Sequence, residues 1–140
     1  MNLRFEKGFY GPYATNLKHL LAHLEGYYFK GQIRFQDMKP SDALQLVQEC
    51  LPDVHNIIEN ELEEDEKKRL QKVGLLIEGF ESPFGLELLA TVHWASKALS
   101  ENASVSSIKS FVDDWSPRKK QLMNEAQISV AYQRINSYFA

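Results

Sequence analysis

The sequence predicts a mainly α-helical fold, a compact helical domain of about seven helices with at most a small β ribbon near the N-terminus. Apolar residues recur at the i, i+3, i+4 and i+7 spacing in several separate segments, which is the periodicity of amphipathic helices. Helix-opening signals, in which Ser or Asn precedes Pro or a capping partner, stand in front of most of the later segments. Patterns typical of strands occur only within the first forty residues.

The N-terminal part is predicted to contain the ribbon and one helix. Residues 4–7 are expected to form a short strand or an extended arm, and residues 27–35 one or two further strands that would pair with it. The helix is predicted to begin at Gly11-Pro12 and to end at about Glu25. Its apolar stripe consists of Leu17, Leu20, Leu21 and Leu24.

The centre of the chain is predicted to be helical as well. Pro40-Ser41-Asp42 indicates a helix start, and Cys50 follows in the apolar rhythm of that helix, as a buried and inert thiol would. Residues 53–78 fit either one long helix or two helices with a break near Glu64. The inner face of the first of these central helices is predicted to hold Leu44, Val47 and Leu51.

The C-terminal half contains the strongest helix signals. Ser82 is a predicted cap, with Pro83 at the first helical position, and the helix is expected to run to about Leu99. The Ser116-Pro117 pair repeats this signal, and Asn124 is expected to form a capping box with the glutamine three residues later. Predicted core positions are Leu88, Val92, Ala95, Leu99, Ile108, Phe111, Val112, Trp115, Ile128, Ala131, Tyr132 and Ile135.

Length and composition indicate one globular domain over residues 1–140. The chain is 44% hydrophobic and 25% charged, as in soluble globular proteins. It lacks the run of about 18 apolar residues that a membrane span needs, and no secretory signal follows Met1. The lone cysteine fits a reducing compartment. We therefore expect a cytoplasmic protein without a membrane partner.

Charge is distributed unevenly along the chain. The net charge is +3 over residues 1–40, −8 over residues 41–87 and +2 over residues 88–140. An acidic centre between mildly basic ends is not typical of a nucleic-acid-binding protein, and it suits a basic partner. Direct binding of nucleic acid is therefore not the preferred interpretation.

Two segments together resemble the C-terminal domain of DarG-type macrodomain antitoxins. The first is Phe9-Tyr10-Gly11-Pro12-Tyr13-Ala14-Thr15-Asn16-Leu17-Lys18-His19-Leu20-Leu21, followed by residues 24–28. The second extends from Phe80 to Trp94. The resemblance covers almost the whole chain in the same order, although residues 36–72 contain no recognised motif. A weaker third match consists of Trp115, Arg118-Lys119, Gln127-Ile128, Ala131 and Arg134.

The resemblance implies a binding module rather than an enzyme. In DarG-type systems a DarT-type toxin ADP-ribosylates thymidine in single-stranded DNA, an N-terminal macrodomain reverses the mark, and the C-terminal domain binds and blocks the toxin. This chain resembles the C-terminal domain alone, so no catalysis and no cofactor are expected. Because Met1 directly precedes the matching region, a fragment and a stand-alone relative both fit. Residues matching the motifs are Tyr10, Gly11, Pro12, Tyr13, Asn16, His19, Glu81, Gly85, Glu87, His93 and Trp94.

The acidic run, defined as residues 59–66, contains six carboxylates in eight residues. Such a run is usually a solvated helix face, stabilised here by the basic residues 67–69. The sharper hypothesis is that a row of carboxylates imitates DNA phosphates and occupies the basic groove of a DNA-modifying toxin. Under that hypothesis Glu61, Glu63 and Glu64 contribute to partner binding.

Four other site hypotheses compete with simpler interpretations. His19 and His23 share one helix face, but we favour hydrogen-bonded histidines over a metal site. Glu87 or Glu81 near His93 would suit a general base, but we favour Glu87 and His93 as partly buried, hydrogen-bonded residues that hold adjacent helices in register. The alternative function is a helical, winged-helix-like DNA-binding module for operon autoregulation, which would use residues 118–120 and the last helix. The aromatics Tyr10, Tyr13, Tyr27, Tyr28 and Phe29 fit a core edge first, a protein interface second and base stacking third.

Overall fold

The computed structural model describes residues 2–31, 34, 37–39 and 42–139. In this part of the chain seven α-helices and four short strands are found, which confirms the mainly α prediction. The strands are β1 (Phe5–Lys7), β2 (Pro12–Ala14), β3 (Phe29–Lys30) and β4 (Gln45–Leu46). The helices are α1 (Leu17–Leu24), α2 (Leu51–Asn60), α3 (Glu64–Ile77), α4 (Pro83–Leu99), α5 (Val105–Trp115), α6 (Pro117–Leu122) and α7 (Glu125–Phe139), with 3₁₀ turns at Gln48–Cys50 and Ser100–Asn102.

The chain divides into two compact units. The N-terminal unit comprises residues 1–6 and 14–68, and the C-terminal unit comprises residues 7–13 and 69–140. The single domain over residues 1–140 stays a prediction. No helix in the described part of the chain is long and apolar enough to cross a membrane.

The predicted helix start at Gly11-Pro12 is wrong. β1 and β2 form a two-stranded hairpin, and α1 begins only at Leu17. Gly11 has a φ of +137°, which no helix can accommodate, and strand pairing fixes Pro12 to Ala14 in an extended conformation. The predicted strand near residues 4–7 is confirmed as β1.

The second ribbon corrects two further expectations. β3 pairs with β4 in antiparallel orientation, with Phe29 opposite Leu46, rather than with the N-terminal strand. The helix predicted from Pro40 to Leu51 is wrong over its described part, because strand pairing overrides the helical spacing of its apolar residues. Pro40 and Ser41, and the predicted strand positions 32, 33 and 35, lie outside the described residues. Cys50 is buried, as predicted.

Residues 53–78 form two helices. α2 ends at Asn60 and α3 begins at Glu64, so the break falls at residues 61–63. The side chain of Glu66 accepts a hydrogen bond from the backbone N–H of Glu63 at 3.0 Å and so caps the start of α3. Neither helix contains a fully buried residue.

The C-terminal unit has a closed apolar core to which α4, α5 and α7 contribute. Its helix starts match the predicted caps: Ser82 Oγ accepts from the Gly85 N–H at 3.0 Å, and Asn124 and Gln127 bond reciprocally at 2.9 Å. Gly85 is required there, because a Cβ would lie 2.5 Å from the carbonyl oxygen of Phe80. The buried core consists of Leu88, Leu89, Val92, Ala95, Ile108, Val112, Met123, Ile128, Ala131 and Ile135.

Candidate functional site

The carboxylate of Glu87 is the centre of a buried charge cluster in the C-terminal unit. Arg118 donates to it through two nitrogens, Nη1 to Oε1 at 2.6 Å and Nη2 to Oε2 at 3.0 Å. Lys119 Nζ donates to Oε1 of Glu87 at 2.7 Å and to Thr91 Oγ1 at 3.1 Å. We call Glu87, Thr91, Arg118 and Lys119 the Glu87 cluster. The cluster joins α4 to α6. This agrees with the interpretation preferred for Glu87, a hydrogen-bonded residue that holds helices in register.

The Ser116-Pro117 start of α6 places both cations. Ser116 Oγ accepts from the backbone N–H of Lys119 at 3.2 Å, which fixes the first turn of the helix. The side chain of Lys119 is fully buried, while that of Arg118 is 30% exposed. A buried ammonium is tolerated only when it is paired and hydrogen-bonded, and Glu87 and Thr91 meet that requirement.

Ionisation in the Glu87 cluster follows from burial and pairing. Burial raises the pKa of Glu87, but hydrogen bonds from Arg118 and Lys119 outweigh burial, so the pKa lies below its ordinary value. For Lys119 burial lowers the pKa, and the attraction of Glu87 only partly opposes this. A carboxylate that is held ionised by two cations is poorly suited to accept a proton from a substrate, so Glu87 does not fit the role of a general base.

The loop between β1 and β2 packs on this cluster within the C-terminal unit. Trp115 Nε1 donates to the carbonyl oxygen of Gly8 at 3.1 Å. Lys7 Nζ lies 4.2 Å from the ring centroid of Phe111 and 5.1 Å from that of Trp115. The guanidinium carbon of Arg118 lies 5.0 Å from the ring centroids of both Phe9 and Tyr10.

Part of the first resemblance segment, residues 9–13, lies in the C-terminal unit together with the second and third segments, while the rest of the first segment belongs to the N-terminal unit. Of the predicted site residues, the structure brings Tyr10 and Glu87 together through Arg118, which contacts both. Trp94 joins them through Trp115, with ring centroids 6.5 Å apart. Gly11 packs closely on α4: a Cβ built on Gly11 would lie 3.5 Å from Thr91 Oγ1.

Other predicted residues of the C-terminal unit have different contacts. Tyr13 is half-buried in β2. Glu81 is exposed, and hydrogen bonds from its own backbone N–H and that of Gly79 lower its pKa. The ring of His93 packs 5.7 Å from that of Phe139, and burial, aided by the charge of Lys97, lowers the His93 pKa.

Asn16 and His19 belong to the N-terminal unit. Asn16 accepts from the backbone N–H of Arg4 at 3.3 Å and donates to the carbonyl oxygen of Asn2 at 2.9 Å. The backbone oxygen of His19 accepts from His23 Nδ1 at 2.6 Å, so this nitrogen is engaged by the backbone. Among the described residues, no group of three or more His, Cys, Asp or Glu side chains could hold a metal ion.

The acidic run surrounds the turn between α2 and α3, and all six of its carboxylate residues are exposed. Lys67 is bonded to the run at two points: its Nζ lies 3.1 Å from Glu64 Oε1 and 2.9 Å from the backbone oxygen of Glu59. Three of the acids, at positions 64–66, stand in the first turn of α3, where the helix dipole favours negative charge. The run thus combines a structural role with a concentrated negative surface.

The sequence analysis did not predict that Arg118 and Lys119 both pair with Glu87. It assigned residues 118–120 to a possible DNA contact, but Lys119 is buried and Arg118 is bound to Glu87, so this run has lost most of its capacity to meet phosphates. The sequence did indicate that two residues of α4 need polar partners. Glu87 and Thr91 directly precede the apolar positions Leu88 and Val92, so they border the buried face of α4. The pairing itself links residues more than thirty positions apart.

No protein-family model matches the chain, but individual proteins do resemble it. A protein named DNA ADP-ribosyl glycohydrolase from Thermus aquaticus is 37% identical over 111 residues, which is 79% of this chain and 29% of that protein. Proteins of the same name from Mycobacterium bovis and Mycobacterium tuberculosis are each 30% identical over 139 residues, 95% of this chain and 38% of theirs. The chain is similar to one part of these proteins. It spans about a third of the length of the curated relatives it matches.

Proposed function

We propose that this chain is an antitoxin module that binds a DarT-type toxin and blocks it sterically, without removing ADP-ribose itself. The similarity to DNA ADP-ribosyl glycohydrolases is the main support, because it covers 79–95% of this chain but only 29–38% of the relatives. The remainder of those proteins is long enough for a macrodomain. We assign the matched part to the C-terminal, toxin-binding domain because of the three resemblance segments given above. We further propose that it acts in the cytoplasm and needs no cofactor.

The proposed toxin-facing surface is the acidic run. The N-terminal unit has seven basic and twelve acidic side chains, a net charge of −5, and half of those acids lie in residues 59–66. A toxin that binds single-stranded DNA needs cations along its groove to neutralise phosphates. Exposed carboxylates closely spaced around one turn are complementary to such a groove, and they would speed association as well as compete with DNA.

Titration of a matched DarT-type toxin with this chain tests the proposal. The toxin is assayed on single-stranded DNA while binding is followed by calorimetry. We expect inhibition that saturates near one chain per toxin, with ADP-ribose already on the DNA left in place. Undiminished toxin activity at saturating chain, or release of ADP-ribose by the chain alone, would contradict it.

Charge reversal tests the surface. Glu61→Lys with Glu63→Lys is the preferred double variant, because Glu64 is bonded to Lys67 and its reversal would disturb the start of α3. The double variant should weaken toxin binding by at least about tenfold, mainly through slower association at low salt. The matched control is Glu49→Lys with Glu101→Lys, two exposed acids outside the run with the same change in net charge. Equal loss in both variants would attribute the effect to net charge alone.

A further inference from the structure

Two aromatic side chains are exposed at the tip of the β1–β2 hairpin. We call residues 8–11 the aromatic loop. Phe9 is 63% exposed, the largest value among the big apolar side chains of the described residues, and Tyr10 is 43% exposed. Neither ring contributes to the buried core. Burial in the core therefore does not explain why these two aromatic residues occupy the tip of the hairpin.

The loop that bears them is fixed. Gly8 N–H donates to the Gly11 oxygen at 2.8 Å, and Gly11 N–H donates back to the Gly8 oxygen at 3.3 Å. A Cβ on Gly8 would lie 2.7 Å from the Gly11 oxygen, and Gly11 has a positive φ, so both positions require glycine. The Trp115 indole holds the Gly8 oxygen from outside the loop.

The rings themselves are held by the Glu87 cluster. Phe9 and Tyr10 meet edge to face with centroids 4.8 Å apart, and Arg118 lies 5.0 Å from both. Arg118 is in turn clamped by both carboxylate oxygens of Glu87. Because ring positions are set before any partner arrives, binding through them would lose little conformational entropy.

The chemistry around the pair selects the kind of partner. Exposed aromatic rings with an arginine are the composition of protein–protein hot spots. The C-terminal unit has nine basic and seven acidic side chains, and the exposed Lys7 directly precedes the loop, so a complementary pocket is apolar with carboxylates at its rim. Nucleic acid fits less well: a phosphate backbone needs several free cations, whereas Arg118 is paired and Lys119 is buried.

We propose that Phe9 and Tyr10 form a preformed anchor that inserts into an apolar, acid-rimmed pocket of the toxin protein. This inference rests on the proposed function and adds a second contact to it, in a different unit from the acidic run. It also assigns the Glu87 cluster a positioning role: the cluster holds the anchor through Arg118 and does not itself touch the partner's pocket.

The test compares two alanine variants for toxin binding by calorimetry. Phe9→Ala with Tyr10→Ala should weaken binding by at least about thirtyfold, as expected for hot-spot residues. The matched control is Phe5→Ala, which removes a 51% exposed phenylalanine from the same hairpin and should change affinity by less than about twofold. The urea midpoint of the double variant should stay at the wild-type value, because both rings lie outside the core.

The outcomes separate the inference from the proposed function. Wild-type affinity in the double variant would overturn the anchor while the antitoxin proposal stands, and so would an equal loss in Phe5→Ala. Absence of toxin binding by the wild-type chain would overturn both. Binding of a fluorescent oligothymidylate by the wild-type chain that the double variant loses would show the loop to be a base-stacking site and would overturn the protein anchor.

Discussion

The two units differ in how they use similar amphipathic helices. In the C-terminal unit, ten apolar core residues are buried, nine of them on α4, α5 and α7 and the tenth, Met123, directly after α6. In the N-terminal unit, Ala14 and Cys50 are the fully buried apolar residues among those described, and α1 and α2 bury none of their own. The two units also differ in net charge, +2 against −5.

This difference suggests a division of labour. The C-terminal unit is a closed scaffold that uses a buried charge cluster to fix one loop. In the N-terminal unit many of the described apolar side chains are only partly buried. An apolar groove of about 340 Å³ is lined there by Leu24, Tyr28, Phe29, Leu46, Val54, Ile57 and Ile58. This partly exposed groove includes Ile57 and Ile58, which directly precede the acidic run, so a partner that binds the run could also cover the groove.

The largest expected effect is the loss of the carboxylate in the Glu87 cluster. Glu87→Gln leaves Lys119 buried without a counter-charge and should lower the free energy of unfolding by about 4 kcal/mol. Adding Lys119→Met should restore most of that loss, because no unpaired charge then stays buried. Urea unfolding measures both, with exposed Glu81→Gln as the control, expected within about 0.5 kcal/mol of wild type. An unaltered midpoint in Glu87→Gln would show that the cluster does not stabilise the unit.

Truncation of one isoleucine in each unit tests the contrast in burial. Ile108 is fully buried in the C-terminal core, so Ile108→Ala should cost about 3 kcal/mol. Ile57 on α2 is only half-buried, so Ile57→Ala should cost about 1 kcal/mol. Equal losses in thermal or urea unfolding would mean that the N-terminal unit is packed as tightly as its counterpart.

Acid should weaken the C-terminal unit through the same cluster. The pKa of Glu87 is lower in the folded state than its ordinary value of 4.5, so its contribution is complete above about pH 4.5 and is lost as pH falls through the folded-state pKa. Unfolding free energy followed from pH 6 to pH 3 should therefore decline less steeply in Glu87→Gln with Lys119→Met than in wild type. Parallel curves would contradict the depressed pKa.

The smallest effect concerns the end of α4. Ser100 has a φ of +50°, a conformation that glycine adopts without strain. Ser100→Gly should raise the free energy of unfolding by about 0.5 kcal/mol, even though it removes the hydrogen bond from Ser100 Oγ to the Lys97 oxygen. Ser137→Gly, inside α7, is the opposite case and should lower it by about 0.5 kcal/mol. A loss in Ser100→Gly would show that the hydroxyl matters more than the backbone.

Local signals were predictable from the sequence, and long-range pairings were not. The caps at Ser82, Ser116 and Asn124 involve partners three residues away, so the starts of α4, α6 and α7 followed from the sequence. The hairpin at Gly11 and the β3–β4 ribbon depend on pairing partners that helical spacing does not reveal.

The candidate site shows the same limit. Tyr10, Glu87 and Trp94 were predicted site residues, whereas their partners Arg118 and Trp115 were matched in the weaker third segment but were not assigned to the site. The bond from Trp115 to Gly8 joins residues 107 positions apart, and no local pattern encodes it.

Hydrogen exchange of the chain with and without saturating DarT-type toxin tests the division of labour most directly. We expect added protection at residues 59–66 and in the aromatic loop, with little change in the core segments of α4 and α7, which are already closed in the free chain. Protection confined to α4 and α7, or no change at residues 59–66 and 8–11 despite complex formation, would contradict the assignment of both contact surfaces.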